Sequence, residues 1–301
     1  MSAEKGSCFP AGTVISVFST PPPPPPLASP SFFLGNKKLY QRVAEGKTPV
    51  TGDHEEAKVL IKNRNLRKDL KWLLFNKYIP SLIQDGPQCG LVALWMAGHL
   101  LKMNRNVTVE EVVKLALDKQ YTAQGEMFSA DNMAQLAEDV YNCQADVISG
   151  GMMGSHCNKI ISHIIAGLPV LVPYDEDFNH EPCQRGGHRA HWAAISGVLL
   201  GLVCESLSNE YKEDPDIPGL FYPASETTSY PQYIEDFIVE VYLLAKQGKS
   251  LKYQLWEYQR LHESNLQLTE FCPKRNSDGL VYIVPDGGVT SGLSGKVVLL
   301  K

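Results

Sequence analysis

"GPQCGLVALWMAG", residues 86–98, is the stretch that decides the fold of this chain. Its Gly-Pro pair favours a turn, and no charged residue follows Cys89 within the stretch. The large apolar side chains fall roughly on one helical face; they are Leu91, Leu94, Trp95 and, just beyond the stretch, Leu101. The pattern predicts an apolar helix that begins with a cysteine directly after a turn.

The position of Cys89 at the start of a helix allows two interpretations. Unpaired backbone N–H groups and the helix dipole favour an anion there, which lowers a thiol pKa and supplies the nucleophilic thiolate. Cysteine is also a small and commonly buried residue, so a purely structural place in the core is the alternative. Spacing alone leaves both interpretations open.

A nucleophilic thiolate needs a base, and "GGHRAHWAAISG" (186–197) offers His191. This histidine begins a predicted strand just after a glycine-rich loop, so its ring can face a cleft. The alternative is a histidine at a strand edge whose hydrogen bonds are structural. Gln84 lies five residues before Cys89 and is a candidate oxyanion donor, beside the backbone N–H of Cys89.

Helical patterns fill the first half of the folded part. An amphipathic helix with connecting segments is predicted within residues 54–83. Further helices are predicted for "VTVEEVVKLALDK" (107–119), "SADNMAQLAEDVYN" (129–142) and "SHCNKIISHIIAGLP" (155–169). Thr108 and Glu111 have capping-box spacing, Ser129 is an expected N-cap, and Gly167 closes the last of these helices.

Short apolar runs between turn residues predict strands in the second half. These runs are "PVLVPY" (169–174), "HWAAISGVLLGLV" (191–203), "FIVEVYLLAKQ" (237–247), "GLVYIVP" (279–285) and "VVLLK" (297–301). The polar, proline-containing residues 205–233 are predicted to be a surface insertion between two strands. Helices followed by strands indicate an α+β fold with an antiparallel sheet.

Residues 1–50 are predicted to be a disordered, proline-rich tail, and residues 51–301 the folded domain. Pro21 to Pro26 form an unbroken run whose rings fix φ and remove donors, which favours an extended polyproline II rod. Such a rod is either a stiff spacer or a peptide for an aromatic-lined groove of the profilin, SH3 or WW kind. A pure proline run flanked by small residues favours profilin.

Composition excludes several classes of protein. The chain of 301 residues has a formal net charge of -5, which argues against a nucleic-acid or anionic-membrane binder. No apolar run reaches the roughly 18 residues of a transmembrane helix, and the N-terminus lacks the apolar core of a signal peptide. The 7 cysteines are odd in number and scattered, which favours free thiols and a cytoplasmic location.

Residues 156–191 are rich in potential metal ligands, namely His156, Cys157, His163, His180, Cys183, His188 and His191. No CxxC pair and no HExxH motif occurs among them, so we predict neither a metal nor another cofactor. The acidic run "DEDFNHE" (175–181) is predicted to be a solvated loop. An Asp from this loop is nevertheless a candidate partner for His191.

Several blocks of this sequence, taken in order, resemble the papain-like cysteine peptidases of the C39-like branch, and within them the animal peptidases that process the actin N-terminus. The blocks are the proline tract, "GPQCGLVALWMAG" (86–98), "HRAHWAAISGVLLG" (188–201), "QGKS" (247–250), "YQLWEYQ" (253–259) and "ESNLQL" (263–268). The resemblance implies a papain-like fold with Cys89 as nucleophile, His191 as base and Gln84 as oxyanion donor. Relatives usually place that Gln six residues before the Cys, so Gln88 is the fallback. Their third catalytic residue is Asp or Asn, for which Gln247 is the candidate here.

The same resemblance implies a substrate and a partner. The family removes the N-acetylated first residue, Met or Cys, from immature actin and exposes the acidic residue behind it. The tract 21–26 would then bind profilin, and Arg185, Arg189 or Lys249 would attract the acidic substrate. The alternative is a non-enzymatic profilin- and actin-binding adaptor with an inactive peptidase fold.

Overall fold

The structure is a computed structural model that describes residues 53–101, 106–204, 207–225 and 237–301. The predictions for residues 1–50, including the proline run, lie outside these ranges. The described part is a mixed α+β protein. None of its helices combines the length and the apolar character that crossing a bilayer requires.

The described helices are α1 (Asp53–Asn63), α2 (Cys89–Gly98), α3 (Val109–Asp118), α4 (Ala130–Tyr141), α5 (Ser155–Ile165), α6 (Tyr258–Leu266) and α7 (Gly288–Leu293), with a 3₁₀ helix at Pro273–Asn276. The described strands are β1 (Lys71–Asn76), β2 (Ala145–Ile148), β3 (Val170–Asp175), β4 (Ala190–Leu202), β5 (Tyr211–Glu213), β6 (Leu220–Pro223), β7 (Ile238–Gln247), β8 (Gln254–Glu257) and β9 (Val297–Leu300).

Within the described ranges these 9 strands form one sheet in the order β2-β9-β3-β4-β1-β6-β5, with β7 on β4 and β8 on β7. The central strand is β4, which is 13 residues long. One edge of β4 pairs antiparallel with β3 through residues 190–195 and with β1 through residues 197–202. Its other edge pairs antiparallel with β7. The pairing brings the start of β4 next to the end of β7.

The sheet separates two hydrophobic clusters. Side chains of β4 alternate between them, since Trp192 and Ala194 belong to the cluster of α2, α3 and α4 while Ala193 and Ile195 belong to the cluster of α5 and α6. This alternation follows from the two-residue period of a strand buried on both faces. The start of β4 is therefore anchored on both sides by core residues.

The apolar helix predicted from Cys89 onward is confirmed as α2, and all its residues are buried. It lies close to the sheet because Gly90 has no side chain. A Cβ at Gly90 would lie 2.7 Å from Met133 Cε and 3.0 Å from the Trp192 ring, so a larger residue would push α2 away from β4. The Cys-Gly pair thus brings the cysteine close to the start of β4.

Several local predictions are confirmed. The Thr108 side chain accepts the backbone N–H of Glu111 while the Glu111 carboxylate accepts that of Thr108, which is a complete capping box. Ser129 caps α4 by accepting the backbone N–H of Asn132 at 3.1 Å. Gly167 follows α5 with a φ of +79°, which glycine adopts without strain.

The expected order of helices first and strands later is wrong in detail. Strand β1 precedes α2, and β2 lies between α4 and α5. The apolar residues of β1 show no periodicity that distinguishes a buried strand from a buried helix. The sequence therefore predicts a helix and connecting segments there. The predicted surface insertion at 205–233 contributes β5 and β6 to the sheet, because β6 pairs parallel with β1.

The predicted strand at 279–285 is also wrong, since these residues form no strand. The Asp278 carboxylate accepts the backbone N–H of Leu280 at 2.9 Å and the hydroxyl of Tyr282 at 2.5 Å, which holds the chain in a turn. The Tyr282 ring packs edge-on against Phe128 and Phe271. Tyr282 thus secures a loop, and the segment does not pair with the sheet.

Candidate active site

A cleft of about 480 Å³ lies where the N-terminus of α2, the start of β4 and the loop after β7 meet. Cys89, His191 and Gln84, the three residues expected to carry chemistry, all line it. Its charged lining includes Glu176, Arg189, Lys249 and Arg275. The fold thus brings together residues that are far apart in the sequence.

Cys89 is the first residue of α2 and is only 8 % exposed. Burial raises the pKa of its thiol to about 11, while the backbone N–H of Trp192 and the charge of Lys249 act in the opposite direction. The expected lowering of this pKa is therefore wrong, because desolvation outweighs the favourable dipoles and charges. Cys89 is a thiol at neutral pH and needs a base to become a nucleophile.

The hydrogen bonds of Gln247 define the tautomer of His191. Gln247 is fully buried at the end of β7, and its Oε1 lies 3.2 Å from His191 Nε2. The same oxygen accepts the backbone N–H of Lys249 at 2.6 Å, and a backbone N–H can only donate. Since this Gln247 atom is an acceptor, His191 Nε2 carries the proton. The lone pair lies on Nδ1, which is therefore the nitrogen that can accept a proton.

Burial also controls the charge of His191, which is 3 % exposed. It lowers the pKa of the imidazole to about 4, although the nearby Glu176 carboxylate raises it. A neutral imidazole and a neutral thiol therefore share the cleft at pH 7. This pair would work by general-base transfer of the thiol proton instead of through a preformed ion pair.

Glu176 is a buried carboxylate that the sequence analysis assigned to a solvated loop. Its Oε2 lies 2.9 Å from His180 Nδ1 and 4.0 Å from His191 Nδ1. Its Oε1 accepts hydrogen bonds from Arg189, at 3.0 Å, and from Lys249 Nζ. Burial raises the pKa of Glu176, but the surrounding His191, Lys249 and His180 outweigh it and hold the pKa at about 2. A fixed negative charge therefore stands beside the imidazole.

Asp175 fixes the loop that leads into His191. It is fully buried at the end of β3, and its carboxylate accepts the backbone N–H groups of Arg185 at 2.7 Å, Gly187 at 3.2 Å and Arg189 at 3.2 Å. Gly187 has a φ of +87°, and a Cβ there would come within 2.9 Å of neighbouring backbone, so only glycine fits. Of the acidic run, Asp175 organises this loop and Glu176 approaches the base.

The two candidate oxyanion glutamines differ in position. Gln84 lines the cleft and donates to the Gly86 carbonyl at 2.6 Å, which leaves its second amide N–H for a ligand. Gln88 is buried at the N-cap of α2 and packs against Gly125, where a Cβ would lie 2.8 Å from Gln88 Cγ. The geometry thus favours Gln84 despite its unusual spacing from Cys89.

Of the three basic residues expected near the cleft, two line it. Arg189 and Lys249 both reach the cleft, and both bind the Glu176 carboxylate. Arg185 is not among the cleft-lining residues and lies against the Phe178 ring at 5.7 Å. The two cleft cations thus offer positive charge that Glu176 partly offsets.

Arg275 is a cleft cation that the sequence analysis missed. Its guanidinium lies 5.2 Å from the centre of the Phe128 ring and 5.8 Å from that of Tyr282, which are cation–π distances. Its charge also lowers the pKa of the Cys89 thiol, though less than burial raises it. Nothing in the polar segment around Arg275 signals this position, because the long loop after α6 brings it to the cleft.

Among the described residues, no group of three or more His, Cys, Asp or Glu side chains is arranged to hold a metal. The candidate ligands have separate partners instead. His156 lies 2.9 Å from the Gly151 carbonyl and His163 lies 3.2 Å from the Pro169 carbonyl. His188 contacts a glutamate at 2.5 Å.

Replacing Gln247 tests whether it orients the base. We expect Gln247→Ala to lower kcat about 100-fold, because His191 Nε2 loses its acceptor and the productive tautomer is no longer favoured. Gln247→Glu keeps the acceptor and should retain most of the activity. Its added negative charge should also raise the pKa of His191, so the acid limb of the pH–rate profile should move to higher pH. Equal losses in both variants, with no shift of that limb, would contradict this positioning role.

A thiol at a helix N-terminus, an oriented neutral imidazole and an amide donor in one cleft are the parts that a thiol hydrolase uses. Comparison with known proteins points to one family, whose curated members are named as proteases. The family described as "Actin maturation protease-like, C-terminal domain" matches residues 79–199. No solved structure matches the chain.

Curated relatives extend the match beyond that domain. The chain is 57% identical over 267 residues to "Actin maturation protease" of Xenopus tropicalis, covering 88% of this chain and 86% of the relative. It is 50% identical over 274 residues to the Homo sapiens protein of that name, covering 89% and 78%. The Drosophila melanogaster protein of that name is 31% identical over 229 residues, covering 74% and 69%. The chain belongs to the actin maturation protease family.

Proposed function

We propose that this chain is a cysteine aminopeptidase that removes the N-acetylated first residue, Met or Cys, from immature actin. The product would begin with the acidic residue behind it. The observation that carries the proposal is the common cleft of Cys89 and His191, in a chain that is 57% identical to a relative named "Actin maturation protease". An acetylated substrate has no free amine, so this cleft needs no acidic anchor for one.

The charges of the cleft suit an acidic substrate. Lys249, Arg189 and Arg275 all line the cleft, and the Arg275 guanidinium lies against the Phe128 ring. Arg275 shares the cleft lining with Glu126 and Asp278, and its charge acts to lower the pKa of both carboxyl groups. In the proposal the same charge attracts the carboxylates that follow the scissile bond. Positive charge in a partly desolvated cleft both attracts and orients such a substrate.

The first half of the reaction forms an acyl-enzyme. His191 Nδ1 takes the proton of the Cys89 thiol as the sulfur attacks the carbonyl carbon of the acetylated residue. The imidazolium that results is stabilised by the Glu176 carboxylate and held through Nε2 by Gln247. The Cys89 backbone N–H and the Gln84 amide bind the oxyanion.

The second half releases both products. The imidazolium gives its proton to the nitrogen of the second residue as the peptide bond breaks, which leaves the shortened actin with a free amine. Water, activated by the same His191, then attacks the thioester carbonyl and frees the N-acetyl amino acid. Cys89 recovers its proton and the neutral pair is restored.

The proposal also includes a papain-like fold, a disordered N-terminal tail and a cytoplasmic location. Two features support a papain-like arrangement within the α+β fold: Cys89 is the first residue of α2, and His191 lies at the start of β4. Residues 51–301 would then be the catalytic domain. Residues 1–50 would be a disordered tail whose prolines 21–26 bind profilin and thereby bring its actin cargo. The 6 described cysteines are all free thiols, which supports a reducing, cytoplasmic location.

The experiment is mass spectrometry of an acetylated peptide with the actin N-terminal pattern, Met or Cys followed by acidic residues. Incubation with the chain should remove one acetylated residue. The same peptide with lysines in place of the acidic residues should be cut much more slowly. If both the peptide and intact immature actin bound to profilin stayed uncut, the proposal would fail and the adaptor interpretation would replace it.

A further inference from the structure

The loop between β3 and β4 holds an aromatic side chain in solvent. Phe178 is 75% exposed, although Asp175 and Glu176 just before it are buried. A ring with so much of its surface in solvent contributes little hydrophobic stabilisation, and aromatic residues are enriched where proteins bind each other. Phe178 is therefore a candidate contact for a binding partner.

Hydrogen bonds hold the backbone of the loop around Phe178. Asp177 and Glu181 are joined by a backbone hydrogen bond of 2.9 Å, and the Asp177 carboxylate accepts the backbone N–H groups of Asn179 at 2.7 Å and Glu181 at 3.0 Å. The Tyr174 hydroxyl donates to the His180 carbonyl at 3.0 Å. Since the loop is ordered before any partner arrives, binding through Phe178 loses little conformational entropy.

Two guanidinium groups flank the exposed ring. Their central carbons lie 4.6 Å (Arg189) and 5.7 Å (Arg185) from the ring centre. The acidic residues nearby are already engaged, since the Asp177 carboxylate binds its own loop and Glu181 faces Arg260 at 3.6 Å. We call Phe178, Arg185 and Arg189 the Phe178 tip; it offers an apolar ring beside the charge of Arg185 and that of Arg189, which Glu176 partly offsets.

The Phe178 tip adjoins the catalytic cleft, because Arg189 belongs to both. A substrate whose N-terminus enters the cleft must keep its folded body outside, against the rim. We propose that the Phe178 tip is a second contact for the folded body of the substrate protein, at an apolar depression bordered by carboxylates. The inference rests on the proposed function and adds to it a site that a short peptide does not use.

The test compares Phe178→Ser on two substrates, intact immature actin and the acetylated N-terminal peptide. We expect kcat/KM on the intact protein to fall about tenfold or more, as for an aromatic hot spot, while kcat/KM on the peptide stays unchanged. Arg185→Glu should act in the same direction. The unchanged peptide activity also reports that the variant is folded.

The matched control is Val59→Ser, which replaces another exposed apolar side chain (56% exposed) on α1, outside the cleft lining. It should leave both activities as they are. Binding of intact actin to the inactive Cys89→Ala chain should also weaken about tenfold when Phe178→Ser is added.

Three other results of this experiment would contradict the proposal, each in a different way. Equal activity of Phe178→Ser and wild type on intact actin, with the peptide still cut, would overturn the second contact alone. A change of oligomeric state in Phe178→Ser would overturn it in favour of a contact between copies of this chain. Failure of the wild-type chain to cut either substrate would overturn the proposed function and this inference with it.

Discussion

We expect Cys89→Ala to lower kcat for cleavage of the acetylated peptide by about 10⁴-fold or more. The sulfur is the only atom of the side chain that can form the acyl-enzyme, and no charge or dipole nearby can replace it. Alanine is smaller than cysteine and fits the same buried position, so the fold should be retained. The measurement is product formation by mass spectrometry, with the thermal unfolding midpoint as the check on folding.

Cys272→Ala is the matched control, because Cys272 also lines the cleft and is also a free thiol. It should keep nearly full activity. Substantial turnover by Cys89→Ala, or an equal loss in Cys272→Ala, would reject Cys89 as the nucleophile. Trapping the wild-type chain during turnover should further yield a mass increase on the peptide that contains Cys89.

Local patterns in the sequence are sufficient to predict the four helices α2, α3, α4 and α5. Uniform apolarity after a Gly-Pro turn, a capping box and a closing glycine are all short-range signals, and each is confirmed. Strand β1 is not predicted because the four apolar residues at its centre, Trp72–Phe75, are compatible with either a buried strand or a buried helix. Its pairing with β4 depends on residues far away in the sequence, which local propensity does not describe.

Electrostatics at the site depended on contacts that no local pattern reveals. Consecutive acidic residues suggest a solvated loop, yet Glu176 is buried because Lys249, 73 residues away, brings a cation to it. The pKa of Cys89 was expected to fall with the helix dipole, but desolvation is a tertiary effect and has the larger influence. Gln247 was only a weak candidate until the register between β4 and β7 set it opposite Ala193, beside the base.

His191→Ala is expected to lower kcat on the acetylated peptide by about 10³-fold or more, since the Cys89 thiol then has no base and the leaving amine has no acid. A thiol whose pKa is about 11 leaves only a small fraction of thiolate at pH 7. The residual rate of this variant should therefore rise with pH as the thiolate forms. His188→Ala is the matched control, because His188 lines the cleft but lies against Glu270, and it should remain active.

The pH profile of the wild-type chain separates a neutral pair from a preformed ion pair. Below its pKa of about 4 the His191 imidazole is protonated and cannot accept the thiol proton, so kcat/KM should fall only on acidification toward that value. Above it the base is free, and the rate should stay nearly level through neutral pH. An ion pair would instead need a thiol pKa below neutrality, and alkylation of Cys89 by iodoacetamide would then be fast at pH 7. Fast alkylation there, or an acid limb near pH 7, would contradict the neutral pair.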